Sequence, residues 1–140
     1  MTSNVRTLLA MAIVAFALAP TAATAQSYSG NWPDTVTHSQ SGNGRYCITL
    51  HDDGSLGWPH SGEATLSPSE GTYPGTFQVI SGLIMITFPQ PGGTGELGAL
   101  FFVAHASNGL LTSGTYEQFY GAEIDSGVST FGVKNTCSGQ

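Results

Sequence analysis

Short runs of alternating apolar and polar residues make up most of the chain beyond residue 25, and glycine or proline separates them at short intervals. The alternation is clearest at residues 45–51, where Tyr46, Ile48 and Leu50 share one face of an extended strand. No window keeps the i, i+3, i+4 spacing of an amphipathic helix without a glycine or proline break. The pattern therefore predicts an all-β domain.

About eight runs have the length and composition of strands, and short connections join them into an antiparallel meander. The predicted strands are residues 32–38, 45–51, 62–66, 76–80, 83–88, 97–106, 110–120 and 128–133, with residues 55–58 continuing the chain after the second. A small closed or nearly closed barrel is favoured, because closure removes the two exposed edges of an open meander. A β-sandwich is the alternative.

Turn residues fix several of the connections between these strands. Asn108-Gly109 is the strongest hairpin signal, because this pair suits a type I′ turn. Further turns are predicted at residues 52–54, 81–82 and 125–127, loops at 67–71 and 89–95, and a bulge at Ser113-Gly114. Residues 83–86 are apolar on both faces, which predicts a strand in the middle of a sheet or covered on both sides.

Residues 1–25 have the pattern of a secretory signal peptide. Arg6 precedes an apolar run at residues 8–19, and Ala23-Thr24-Ala25 stands before Gln26. The run is shorter than the roughly 20 residues that span a bilayer. We expect cleavage near Gln26, one all-β domain over residues 26–140, no membrane span in the mature chain, and a secreted or periplasmic location.

The chain has two cysteines, Cys47 and Cys137. An oxidising compartment favours a disulfide between them, and two unpaired buried thiols are the alternative. The bridge would close a loop of about 90 residues and contribute roughly 4–5 kcal/mol in the chain-entropy model. It would tie the second strand to the end of the chain, which favours closure of the barrel.

Charge is scarce beyond residue 25, and most of it is negative. Two cations, Arg45 and Lys134, stand against nine acidic residues, so the formal charge of this part is −7. A nucleic-acid-binding surface needs a cluster of cations to displace phosphate counterions. Nucleic acid and anionic membranes are therefore not expected partners.

Gly30-Asn31-Trp32 opens the first predicted strand. This G-x-W triplet resembles the start of lipocalin- and avidin-like barrels, in which the tryptophan closes one end of the barrel. The resemblance covers three residues and is followed by Pro33, which is not typical of those strands. It implies a barrel and gives no ligand, and a buried anchor tryptophan is the simpler interpretation.

Catalytic and metal-binding signatures are weak. His51-Asp52-Asp53 contains three metal-ligand types, but a turn whose aspartates bind their own backbone explains it better. The other histidines are scattered, and whether any of the four binds metal stays open. A G-x-S-x-G nucleophile motif is missing from the sequence. Neither a catalytic residue, a metal ligand nor a cofactor is assigned, although acidic pairs drawn from Glu63, Glu117, Glu123 and Asp125 remain conceivable.

Four residues are candidates for ligand binding. Trp58 and His60 flank Pro59 beside a turn, where a loop could present an aromatic surface. Tyr116 and Tyr120 share one face of a strand, which lines a cavity or faces solvent. Core packing of Trp58 is the alternative.

The leading hypothesis is a small secreted or periplasmic non-enzymatic binding protein for an unknown small ligand or secreted protein. One alternative is an inhibitor of a secreted hydrolase that inserts residues 26–30 into a cleft. Another is a small hydrolase that uses acidic or histidine residues, with His51 and His60 as the groups to test. The oligomeric state is left open.

Overall fold

Eight antiparallel strands follow one another around a closed barrel, and the last strand pairs with the first. The computed structural model describes residues 26–39, 42–67, 72–91 and 97–137. The strands are β1 (Gly30–His38), β2 (Asn43–Leu50), β3 (Ser61–Ser67), β4 (Tyr73–Ile80), β5 (Leu83–Pro91), β6 (Leu97–Ser107), β7 (Leu110–Tyr120) and β8 (Glu123–Phe131). The predicted barrel is confirmed, and the sandwich is excluded because one sheet closes on itself.

The two ends of the barrel differ in what covers them. At the Trp32 end lie the start of β1, the β2–β3 connection, two hairpins and the chain after β8. Strands β1, β3, β5 and β7 end at the His38 end, where Gly121 and Ala122 connect β7 to β8. Parts of the predicted loops at residues 67–71 and 89–95 fall outside the described residues, and β5 continues through Pro91.

One prediction about local structure is wrong, because residues 125–127 lie inside β8 rather than in a turn. The chain turns instead at Gly121 and Ala122. Gly127 serves close packing, because a Cβ there would overlap the carbonyl oxygen of Thr37 on β1. The last strand accordingly starts earlier than predicted and ends at Phe131. Residues 55–58 belong to the β2–β3 connection.

The predicted hairpins and bulge are confirmed. Asn108 and Gly109 have φ angles of 50° and 72°, both positive, as a type I′ turn requires. Ser81 and Gly82 repeat this geometry between β4 and β5. Pairing between β6 and β7 shifts register between Leu111 and Gly114, so that β7 carries the extra residue of a bulge.

Side chains pointing inward fill the barrel. The largest fully buried residues are aromatic: Trp32, Phe77, Phe88, Phe102 and Tyr116. Phe88 contacts Phe102 edge-to-face with 6.0 Å between centroids, and the ring of Phe102 lies 5.2 Å from that of Tyr116. An eight-stranded barrel has an interior just wide enough for such packing. Trp32 is therefore a buried anchor at one end, as its triplet suggested.

The predicted disulfide is present and lies across the closure of the barrel. Cys47 on β2 is bonded to Cys137, 90 residues later, in the segment that follows β8. Because β1 lies between β8 and β2, the bridge spans the pairing that closes the sheet. Such a bond is compatible with an oxidising compartment.

Candidate functional site

Large apolar side chains lie exposed on the outside of β5, β6 and β7. Leu83, Met85 and Phe101 are 40%, 39% and 36% exposed, although a sheet face that meets water is normally polar. Phe119 contacts Phe101 edge-to-face, with 5.6 Å between ring centroids. We call the following residues the outer wall: Leu83, Met85, Phe101, Val103 and Phe119.

The register of the strands explains why these residues meet. Met85 pairs with Val103, and Thr87 pairs with Phe101, so the apolar side chains of β5 and β6 stand in adjacent rows. Residues 83–86 were predicted to be apolar on both faces, and their inward half, Ile84 and Ile86, is fully buried. The outward half is uncovered in the described chain.

A groove of about 300 Å³ crosses the outer wall. Leu56, from the β2–β3 connection, lies on one side, and Met85 and Phe101 lie on the floor. Leu56 is itself 47% exposed. The groove is therefore an apolar surface feature of the kind that receives side chains from a partner.

Acidic residues flank the outer wall. One row across the sheet runs from Glu63 on β3 through Thr76, Thr87 and Phe101 to Glu117 on β7. Both glutamates are exposed. The cations Arg45 and Lys134 lie elsewhere, on β2 and after β8.

A second group of polar residues lies inside the barrel. Asp34 on β1 is 1% exposed, and its Oδ1 accepts a hydrogen bond of 2.6 Å from Ser129 Oγ. Its Oδ2 has no hydrogen-bond partner among the described residues. Burial raises the pKa of Asp34 to about 7, against the opposing effect of hydrogen bonds from Ser129 and the Thr130 backbone. The buried carboxyl therefore favours its neutral form below about pH 7.

A histidine–carboxylate pair lies near the His38 end. His38 Nδ1 is 2.9 Å from Asp125 Oδ2, and the His38 ring contacts Tyr116 edge-to-face. Tyr116 donates a hydrogen bond of 2.5 Å to Gln118 Oε1. Burial, together with Tyr46 and Asp125, raises the pKa of Tyr116 above its ordinary value. The phenol therefore stays protonated, and it donates its hydrogen bond from within the buried core.

A third group lies at the Trp32 end and holds the start of the described chain. Asp52 Oδ2 accepts a hydrogen bond from Tyr28 N and lies 2.8 Å from His60 Nδ1. The Tyr28 carbonyl accepts a hydrogen bond of 2.9 Å from Trp32 Nε1. Residues 26–29 are thus tied against the barrel, whereas an inhibitor that works through residues 26–30 would have to release them.

The four candidate ligand residues are divided between the two ends of the barrel. Trp58 is 47% exposed and His60 half-buried, both in the β2–β3 connection at the Trp32 end. Tyr116 is fully buried inside the barrel, and Tyr120 lies exposed where β7 ends. The structure brings together His60 with Asp52 and Tyr28, but it does not bring the four candidates into one site.

The two aspartates of the His51-Asp52-Asp53 run have different hydrogen-bond partners. Asp53 Oδ1 accepts a hydrogen bond from Ser55 N, which is the predicted aspartate turn, and hydrogen bonds from Ser55 lower the Asp53 pKa. Asp52 instead reaches His60, which the sequence did not indicate. Within the described ranges, no group of three or more His, Cys, Asp or Glu could hold a metal ion. No helix in those ranges is long and apolar enough to cross a membrane.

Sequence reasoning missed the outer wall. Its signal was present, because residues 83–86 and Phe101-Phe102-Val103 are apolar on both faces. A continuous apolar run looks the same whether its second face is covered by the protein or left for a partner. Only the folded structure shows that Leu83, Met85 and Phe101 remain partly exposed on the outward face.

The fold and surface define a small closed β-barrel with a packed interior and an apolar outer wall. Comparisons with protein-family models, with curated proteins and with solved structures found no match to this chain. The functional argument therefore rests on the geometry of the barrel.

Proposed function

We propose that this chain is a secreted, non-enzymatic binding protein that docks a protein partner on its outer wall. The observation that carries the proposal is the side-by-side exposure of Leu83, Met85 and Phe101 on neighbouring strands. Contiguous apolar patches on a soluble protein mark interaction surfaces. Phenylalanine and methionine are also enriched in the cores of protein interfaces.

The packed interior supports a site on the outside. Trp32, Phe102 and Tyr116 occupy the space that a ligand would take in a wider barrel. The exposed apolar side chains add little to folding where they are, because their outward faces meet water. Burial against another molecule would remove these apolar side chains from water.

Charge favours a basic partner over a second copy of this chain. Glu63 and Glu117 flank the outer wall, and the part beyond residue 25 carries a formal charge of −7. Two copies would bring like charges together around the contact, whereas lysine and arginine on a partner would complement them. We therefore expect a partner surface with apolar anchors and a cationic rim.

Secretion is part of the proposal. The disulfide between Cys47 and Cys137 is compatible with an oxidising compartment. Residues 1–25, which lie outside the described residues, have the sequence pattern of a signal peptide. Both features support a partner that is also found outside the cytoplasm.

A random peptide selection tests the proposal directly. The chain from residue 26, with its disulfide formed, is used as bait, and Met85→Asp/Phe101→Asp is used for counter-selection. We expect enriched peptides with aromatic or aliphatic anchors beside lysine or arginine. Their affinity should fall at least about tenfold on the double variant and weaken with added salt.

Leu110→Asp is the matched control, because Leu110 is 60% exposed but lies outside the outer wall. It should leave peptide affinity unchanged. Selection without enrichment, or peptides that bind the double variant equally well, would contradict the proposal. A concentration-dependent dimer by analytical ultracentrifugation that the double variant abolishes would assign the wall to a second copy instead.

A further inference from the structure

The barrel wall opens between β7 and β8 at the Trp32 end. These strands pair only as far as Ser113 with Thr130. Between Leu110 and Ser113, β7 stays paired with β6, and Leu111 lies opposite Ala106. After Thr130 the chain follows β1, because Gly132 N donates a hydrogen bond of 2.7 Å to Pro33 O. The bulge in β7 and the departing chain thus leave a cleft.

This cleft, which we call the β7–β8 cleft, is apolar and reaches the barrel interior. Its volume is about 370 Å³. Trp32, Leu111 and Phe131 lie at its base, and all three are otherwise buried. Leu110 and Val133 stand on its sides and are 60% and 73% exposed.

A cation lies at the mouth of the β7–β8 cleft. Lys134 Nζ is 5.7 Å from the centroid of the Trp32 ring and donates a hydrogen bond of 3.2 Å to Ser27 O. A lysine ammonium has three donors, so this contact leaves capacity for an anion. Lys134 is one of only two cations beyond residue 25.

We propose that the β7–β8 cleft binds a free, linear alkyl carboxylate. The alkyl chain lies over Trp32 between Leu110 and Val133, and the carboxylate accepts a hydrogen bond from Lys134 Nζ. Burial of each methylene of such a chain contributes about 0.8 kcal/mol to binding. The charge-assisted hydrogen bond selects an anion at this position.

The surrounding charge supports this ligand class. The residues that line the cleft include Thr112 and Lys134 but no acidic side chain, although the chain as a whole is acidic. Among the cavities described, the β7–β8 cleft is the one that combines an apolar lining with a lysine or arginine. This combination suits an anion with an apolar tail. A cationic amphiphile of the same length would meet Lys134 as a like charge.

Titration with monomeric dodecanoate tests the proposal. A Trp58→Phe background leaves Trp32 as the single tryptophan, and its emission reports occupancy of the cleft. Calorimetry on the chain with both tryptophans gives the affinity independently. We expect saturable one-site binding that Lys134→Gln weakens at least about tenfold, while Lys134→Arg retains it.

Arg45→Gln is the matched control, because it removes the other cation on an exposed outward position of β2. It should leave dodecanoate affinity unchanged, as should Met85→Asp/Phe101→Asp on the outer wall. Val133→Asp should abolish binding without unfolding the chain, since Val133 is highly exposed.

Three results would overturn the proposal. One is a folded chain that does not bind dodecanoate, and another is equal affinity for dodecyltrimethylammonium. The third is binding only to phosphatidylcholine–phosphatidylglycerol vesicles, which would indicate a membrane surface rather than a free ligand. Because the outer wall is a separate surface, none of these results bears on the protein-docking proposal.

Discussion

A single carboxyl group inside the barrel links stability to pH. Asp34 is buried, and burial raises its pKa from 3.8 to about 7. The folded chain therefore holds a proton that the unfolded chain releases between these two pH values. The contribution of Asp34 to the free energy of unfolding is most favourable below pH 4, falls as the pH rises to 7, and is constant above pH 7. The difference corresponds to about 4 kcal/mol.

Replacing Asp34 with asparagine should remove this dependence. At pH 8 we expect Asp34→Asn to be more stable than the natural chain by about 2 kcal/mol, because removal of the ionisation cost exceeds the cost of an unpaired amide N–H. Below pH 4 the advantage should reverse. Urea unfolding of both chains from pH 3.5 to 8 measures the difference.

The control is Asp53→Asn, because hydrogen bonds from Ser55 lower the pKa of this exposed carboxyl. Asp53→Asn should lower the free energy of unfolding at neutral pH and have less effect as the pH falls, because the natural Asp53 stabilises the fold only when it is ionised. This pH dependence is opposite to that of Asp34→Asn. A difference between Asp34→Asn and the natural chain that does not change with pH would contradict the assignment.

Sequence alone could not identify Asp34 as buried. Residues 32–38 alternate apolar and polar, and Asp34 falls in register with the inward Trp32 and Val36. The alternation was therefore available, but an acidic residue normally indicates a solvent-facing position. Its partner Ser129 is 95 residues away, and only the pairing of β8 with β1 brings the two together.

Gly114 lets β7 lie close against β6. A Cβ at this position would overlap the Val103 carbonyl oxygen. Gly114→Ala should therefore force the two strands apart beside the bulge and lower the free energy of unfolding by about 3 kcal/mol. Thermal and urea unfolding measure this loss.

Thr115→Ala is the neighbouring control, because Thr115 is exposed on the same strand. Its cost should stay below about 1 kcal/mol. Equal losses for the two variants would show that β propensity, rather than close approach of the backbones, governs this part of the barrel.

The outer wall should contribute little to the stability of the strands that carry it. Met85→Asp/Phe101→Asp replaces outward, partly exposed side chains, so we expect the chain to stay folded and to lose about 2 kcal/mol in total, part of it because an aspartate at position 101 would stand opposite Glu117. Denaturant unfolding checks this beside the binding assay. A loss of several kcal/mol would show that the wall packs for folding rather than for docking.

The strand order, most strand positions and two hairpins could be predicted, because period-two alternation and Asn-Gly or Ser-Gly turns are local signals. The turn predicted at Gly127 was wrong because a glycine needed for close packing and a glycine needed for a turn look alike in sequence. Binding surfaces were harder. The β7–β8 cleft depends on where pairing stops, and Lys134 reaches Trp32 from 102 residues away.

At the scale of the whole molecule, the disulfide stabilises closure of the barrel. A loop of 90 residues between Cys47 and Cys137 is constrained in the unfolded chain. Cys47→Ala/Cys137→Ala should lower the free energy of unfolding by about 4 kcal/mol in the chain-entropy model. Urea unfolding measures the loss, and reduction of the natural chain should reproduce it.

If the double alanine variant and the reduced natural chain both kept the full stability, the bridge would not constrain the unfolded state as this account requires. Retained β-sheet circular dichroism in the absence of denaturant would show that the loss is one of stability rather than of fold.

Docking of a protein partner on the outer wall is the proposed function of the barrel. Nuclear magnetic resonance of the ¹⁵N-labelled chain, titrated with a selected basic peptide, tests it residue by residue. We predict that the shifted amides cluster on β5, β6 and β7 around Met85, Phe101 and Phe119. Shifts confined to Trp58 and His60 at one end, or to Tyr120 at the other, would contradict the account.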